Sequence, residues 1–127
     1  MESDQVSPEE KLTRYILHKN HFSILHQRVK YAAFLPAPNG ETSVFRVSGL
    51  EATTIWEIGD KEVAMRRGTP VLGRADILAA HVFSRKLKIV PDDNPPRHAN
   101  ITGWSEEKSE RKLIAMELAE DARLYLK

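Results

Sequence analysis

The chain contains no cysteine. That removes disulfides, a thiolate nucleophile and any cysteine-ligated zinc site. No apolar run approaches the ~18 residues needed to span a membrane. The first residues, Met1-Glu2-Ser3-Asp4-Gln5, are polar and acidic, unlike a secretory signal. The expectation is a cytoplasmic protein of bacterial type with no membrane association. No Gly-rich phosphate loop, GxGxxG or HExxH pattern occurs. An excess of one charge is missing too: 19 Lys and Arg face 18 Asp and Glu, a net charge of +1. A domain that holds nucleic acid by bulk charge carries a larger basic excess. A local patch is still compatible with this balance. Arg66, Arg67, Arg74, Arg85, Lys86 and Lys88 make the middle third basic, either as a contact for nucleic-acid backbone or as scattered surface charge.

What is present suits one small domain. Of 127 residues, 41% are hydrophobic and 29% charged, enough apolar surface for a core and much polar surface around it. Residues 1–7 read as a disordered lead and 8–127 as a single compact α+β domain. Its expected architecture is a small, mostly antiparallel sheet, two or three helices and a long C-terminal helix. Ser7-Pro8-Glu9-Glu10 has the form of a helix start, yet Thr13 to His18 also suits a strand, so that segment is open. Residues 28–35 and 42–47 read as strands joined by the Pro36–Gly40 turn in a hairpin. In the second of these, Val44 and Arg46 share one face while Ser43, Phe45 and Val47 share the other. A helix is expected near 51–66, weakened at Gly59 by about 1 kcal/mol relative to alanine. Gly73-Arg74-Ala75-Asp76 opens an apolar run, Ile77 to Phe83, expected to be helical. Leu87 to Val90 reads as a strand, 98–103 as a short strand or irregular, and 105–126 as the last helix.

The richest stretch is Pro95 to Trp104, followed by the helix signal Ser105-Glu106-Glu107-Lys108. A helix N-terminus leaves N–H groups unpaired and favours an anion. His98 suits a general acid or base there. Arg97 suits a phosphate or carboxylate, Asn100 an orienting role, and Trp104 a stacking wall. The same residues also fit a loop cap, a solvated charge and a core anchor. Arg46, inside the best strand, must either pair with a carboxylate, line a cleft or face water. Arg74 fits an anion site or a pair with Asp76. His18, His21 and His26 do not share one face under either periodicity, so no metal site is assigned. His21 is a candidate second acid/base group beside His98, an arrangement suited to phosphodiester cleavage without a metal. Ser105 to Lys108 matches the S-x-x-K spacing of serine acylases but fits better as a helix cap, and no K-T-G element accompanies it.

The segments Thr42 to Arg46, Ile55 to Gly59, Gly73 to Asp76 and His98 to Trp104 resemble a group of small uncharacterised bacterial proteins. The resemblance covers most of the chain and implies a complete small protein. It supplies no catalytic residue, cofactor or substrate.

Two functional classes therefore compete. One is an anion site built from Arg46, Arg74, Arg97, His98, His21 and Asn100 with Trp104 as wall, for a nucleotide, a phosphorylated small molecule or nucleic-acid backbone. No cofactor is assigned to it. The other is a non-catalytic partner protein, an accessory subunit or an immunity or antitoxin type, in which Arg, His and Trp form an interface hot spot. Convergence of Arg46, Arg74 and His98 on one concave cavity favours the first; their scatter, or Trp104 lying flat in an apolar patch on a convex surface, favours the second.

Overall fold

Ser7 and Glu10 bond reciprocally, the Ser7 amide to Glu10 Oε2 at 3.1 Å and the Glu10 amide to the Ser7 carbonyl at 3.1 Å. This closes one turn and starts no helix, because Leu12, Thr13, Tyr15 and Ile16 are buried on both sides of an extended chain, as a central strand requires. The structure, a computed structural model, describes residues 5–127. In chain order the elements are β1 (Lys11–Ile16), β2 (Phe22–Ser23), β3 (Arg28–Val29), β4 (Thr42–Arg46), α1 (Ala52–Ile58), a π-helical segment (Gly59–Ala64), α2 (Met65–Arg67), β5 (Gly73–Leu78), α3 (Ala79–Ser84), β6 (Lys88–Pro91), β7 (His98–Thr102), α4 (Lys108–Asp121) and β8 (Arg123–Leu126).

Six strands form one antiparallel sheet in the order β6-β7-β4-β1-β5-β8, and β2 pairs with β3 separately. Strand alternation gives the sheet two different faces. On one, Leu12, Ile16, Val44, Ala75, Ile77 and Ile101 pack with Val82 of α3 and Leu118 of α4. On the other, Tyr15, Phe45 and Val47 pack with Ile55 of α1 and Val71. The result is one α+β domain with a C-terminal helix, as composition and pattern predict.

Several local expectations are corrected. Residues 28–35 and 42–47 do not form a hairpin: β3 is two residues long and pairs with β2, while β4 pairs with β1 and β7. The segment after β3 turns as a 3-10 helix over Tyr31–Ala33, and side chains take its carbonyls. Thr42 Oγ1 bonds the Phe34 carbonyl at 2.9 Å and Arg14 Nε the Ala33 carbonyl at 2.8 Å. The run from Ile77 is strand through Leu78, because β5 pairs with all six residues of β1. Asp76 is therefore a strand residue and not a helix cap. The last helix starts at Lys108 rather than Ser105 and ends at Asp121. Residues 123–126 leave it to cover the edge of β5, where Leu124 pairs with Ala75. Of the expected disordered lead, residues 1–4 lie outside the described residues, whereas Val6 is buried in the core.

Gly59 begins the π-helical segment, where the sequence suggests a break. A Cβ there would meet Tyr15 Cε1 at 2.6 Å. The Tyr15 ring cannot retreat easily, since it is buried and its hydroxyl donates to the Ile55 carbonyl. Helix propensity alone predicts that Gly59→Ala stabilises by about 1 kcal/mol. The close approach predicts the opposite sign, a loss of about 1–3 kcal/mol from overpacking. Urea denaturation decides between them, and a higher midpoint for Gly59→Ala would refute this packing.

Candidate functional site

Strand β1 stays paired with β4 only at Leu12 with Arg46 and Thr13 with Phe45. Past that point Arg14 bridges the two strands. Its Nη1 donates to the Ser43 carbonyl at 3.0 Å, while its Nε holds Ala33. The two strands and the helical segment above them border a cavity of about 350 Å³. Arg14, Tyr15 and Leu17 line it from β1 and its end, with His18 and His21 from the 3-10 turn that follows. Ser43 and Phe45 come from β4, Glu62, Val63, Arg66 and Arg67 from the π-helical segment and α2, and Asn94, Pro95 and His98 from the approach to β7.

The lining is cationic. Arg14 is half-buried; loss of water, followed by the field of Arg67, lowers its pKa to about 10, so it remains charged at neutral pH. Arg66 reaches Glu62, the cavity's one acidic wall residue, at 3.4 Å. Neither Arg14 nor Arg67 has a carboxylate partner among the described residues. His18 and His21 meet edge to face, ring centres 4.8 Å apart. Burial, then His18 and Arg14, hold the His21 pKa below its ordinary value, so this imidazole is neutral at pH 7.

Ser43, His98 and Asp92 form a continuous relay at one wall. Ser43 and Phe45 alternate onto the face that carries His98, and Phe45 pairs with His98 across the β4–β7 ladder. The His98 ring leans on Phe45, centroids 5.2 Å apart, and its Nε2 lies 2.5 Å from Ser43 Oγ. Its Nδ1 lies 2.7 Å from Asp92 Oδ1. Burial works to raise the Asp92 pKa, but hydrogen bonds from His98, the Asn94 amide and Asn100, together with the His98 charge, lower it overall. An ionised carboxylate only accepts, so His98 Nδ1 carries the proton and Nε2 accepts from the Ser43 hydroxyl when the ring is neutral. Asn100 Nδ2 donates to Asp92 Oδ2 at 3.2 Å and fixes its second oxygen.

Of the residues singled out in the sequence, His98 and His21 line the same cavity, and Asn100 supports it through Asp92. The others lie elsewhere: Arg46 and Arg74 do not converge with His98, so the anion site as composed from the sequence is not assembled, and any anion reading must rest on other cations. Arg46 projects to the opposite face and holds Glu10 with two bonds of 2.9 and 2.8 Å. Arg74 is buried, bonds Asp76 at 3.1 Å, and lies 4.6 Å over the Trp56 ring and 4.5 Å over that of Tyr125. Arg97 is exposed, adopts φ 74° and borders a shallower groove beside Lys61 and Glu62. Trp104 packs on the α4 side of the sheet and donates to the Ile101 carbonyl at 3.3 Å. The N-terminus of α4 serves that side as well, so it is not the anion cradle that the sequence suggests for His98.

Ser43, Asp92 and Arg14 are site residues that the sequence did not point to, and Arg66 and Arg67 stood out only as part of the basic middle third. Arg14 left a usable signal, a charge at the same alternation as Leu12 and Ile16, which burial forces to find partners. Ser43 and Asp92 left none before the β4–β7 register was known. Protein-family models, curated proteins and solved structures give no match to the chain.

The Arg46–Glu10 pair, away from the cavity, sets part of the acid limb of stability. Arg46 holds the Glu10 pKa below its ordinary value, against the opposing effect of burial. As pH falls, the unfolded chain takes up this proton first, so the pair's contribution is complete above pH ~4.3 and drains away through the lower folded pKa. Glu10→Gln should cost on the order of 1 kcal/mol at pH 7 and make the loss of stability below about pH 5 shallower. Denaturation midpoints measured across this range check the sign, and an acid limb as steep as wild type would contradict it.

Proposed function

We propose that the cavity binds a phosphate-bearing ligand, a nucleotide, a phosphorylated small molecule or nucleic-acid backbone, and that His98 acts as acid or base in cleaving a phosphodiester there without a metal. One observation carries this reading. Three arginines and three histidines line one concavity that has a single acidic wall residue, and two of those arginines have no carboxylate partner among the described residues. Arg14, partly desolvated and without a carboxylate, attracts an anion strongly because its surroundings screen it poorly, and Arg67 adds an exposed charge at the rim.

The roles follow from position. Arg14 and Arg67 neutralise charge that grows on the phosphoryl oxygens in the transition state. His21, neutral at pH 7, is available to accept a proton. His98 can accept one at Nε2, because Asp92 steadies the imidazolium that results. The nearly balanced net charge argues for a compact ligand or a short reach of backbone rather than a long duplex track.

The test is a thermal-shift titration with inorganic phosphate, nucleoside monophosphates and short oligonucleotides, with hydrolysis of bis(p-nitrophenyl) phosphate followed in EDTA. A ligand that binds only the folded state raises Tm with its concentration. Arg67→Gln, an exposed change, should weaken binding about tenfold. His98→Ala should lose hydrolysis by about 100-fold or more while still binding. Absence of any shift with a folded wild-type protein would overturn the proposal.

A further inference from the structure

We infer that Ser43 is a covalent nucleophile, activated by His98 and Asp92. The inference rests on the proposed anion site for its substrate class, but the nucleophile itself stands on separate geometry. A weak hydroxyl nucleophile needs a base within hydrogen-bond reach and a third group that orients the base. Ser43 Oγ lies 2.5 Å from His98 Nε2, and Asp92 Oδ1 lies 2.7 Å from His98 Nδ1. Asn100 and the Asn94 amide, each at 3.2 Å, hold Asp92 in turn.

Three further features separate this chain from an ordinary cross-strand hydrogen bond. Ser43 and His98 both line the cavity, and Ser43 is only partly buried. The Arg14 guanidinium is bonded to the carbonyl of Ser43 itself, which ties a positive charge to the backbone of the same residue. Its second terminal nitrogen has no partner among the described residues. Phe45 braces the His98 ring from the side, limiting its rotation away from Ser43.

Ser43 Oγ attacks the phosphorus of a phosphodiester, the Oγ–P bond forms and the bond to the leaving oxygen breaks. The Ser43 proton passes to His98 Nε2 and then to the leaving alkoxide, which departs as an alcohol. Water next attacks the phosphorus of the Ser43 phosphodiester, which still carries the second organic group, and gives a proton to His98. The Oγ–P bond breaks, Ser43 recovers a proton from His98, and a phosphomonoester is released. No oxidant, reductant or second substrate is required.

The test treats the whole chain with diisopropyl fluorophosphate and, separately, phenylmethylsulfonyl fluoride, and locates adducts by peptide mass spectrometry. In the first reagent Oγ–P forms as P–F breaks, fluoride leaves and the proton goes to His98. The expected result is one adduct, on the peptide carrying Ser43, absent from Ser43→Ala. Its rate of formation should fall on the order of 100-fold in His98→Ala and fall in Asp92→Asn, whose side chain keeps the size of the original. A merely structural Ser43–His98 bond would leave no such adduct. Absence of an adduct with both reagents overturns the nucleophile, even if phosphate still raises Tm and the anion site survives. An adduct that forms at the same rate in folded His98→Ala also overturns the relay. An adduct slowed by inorganic phosphate supports both readings, whereas one formed with no phosphate effect supports Ser43 while removing the anion site.

Discussion

Where β1 and β4 stop pairing, the Arg14 guanidinium takes over the connection, bonding a carbonyl on β4 and another in the turn after β3. Hydrogen bonds to a charged group contribute about 1.5–3 kcal/mol each, and a carbonyl robbed of such a donor in a half-buried place costs a comparable amount. The parting of the strands is therefore stable only because a cation bridges it. The same cation is the cavity's most desolvated charge. Structural and chemical roles thus fall on one side chain, and the surrounding residues are arranged around it.

The two faces of the sheet divide the work. The face under α3 and α4 carries the larger aliphatic core. The face under α1 and the π-helical segment carries a smaller aromatic cluster, with the cavity at its border. The π-helical turn lets Gly59 lie against the Tyr15 ring, and it brings Glu62, Arg66 and Arg67 to the cavity rim in one short stretch. Arg74 shows how strongly that face can bury charge, with one carboxylate and two aromatic rings around its guanidinium. It is a wall of the fold and not of the cavity.

Much of the fold was legible because its signals are local. The alternation in residues 42–47, the helical pattern from 51 to 66 and the fault at Gly59 each depend on near neighbours, and each appears as β4, α1 with α2, and the π-helical segment. What escaped depends on partners distant in sequence. Residues 123–126 continue the helical pattern, yet the bare edge of β5 draws them into a strand. The segment at 28–35 has strand-like residues, yet Arg14 and Thr42 claim its carbonyls. The site divides the same way. His98 and His21 stand out by residue type alone. Ser43 acquires meaning only through a register that lays His98 across it, and Asp92 only through the turn that brings it back to the ring. Arg46 and Arg74 stood out equally as charges in strands, and each proves to be paired with an acid of its own.

The most direct test of an anion held in this cavity is nitrogen-15 NMR of the five histidine side chains during a titration with inorganic phosphate. His18, His21 and His98 line the cavity, whereas His26 lies in the exposed turn between β2 and β3 and His81 on α3 pairs with Asp121. An anion bound there moves the first three resonance sets along one saturable curve while His26 and His81 stay in place. Unchanged resonances throughout, or a uniform drift of all five, would contradict it.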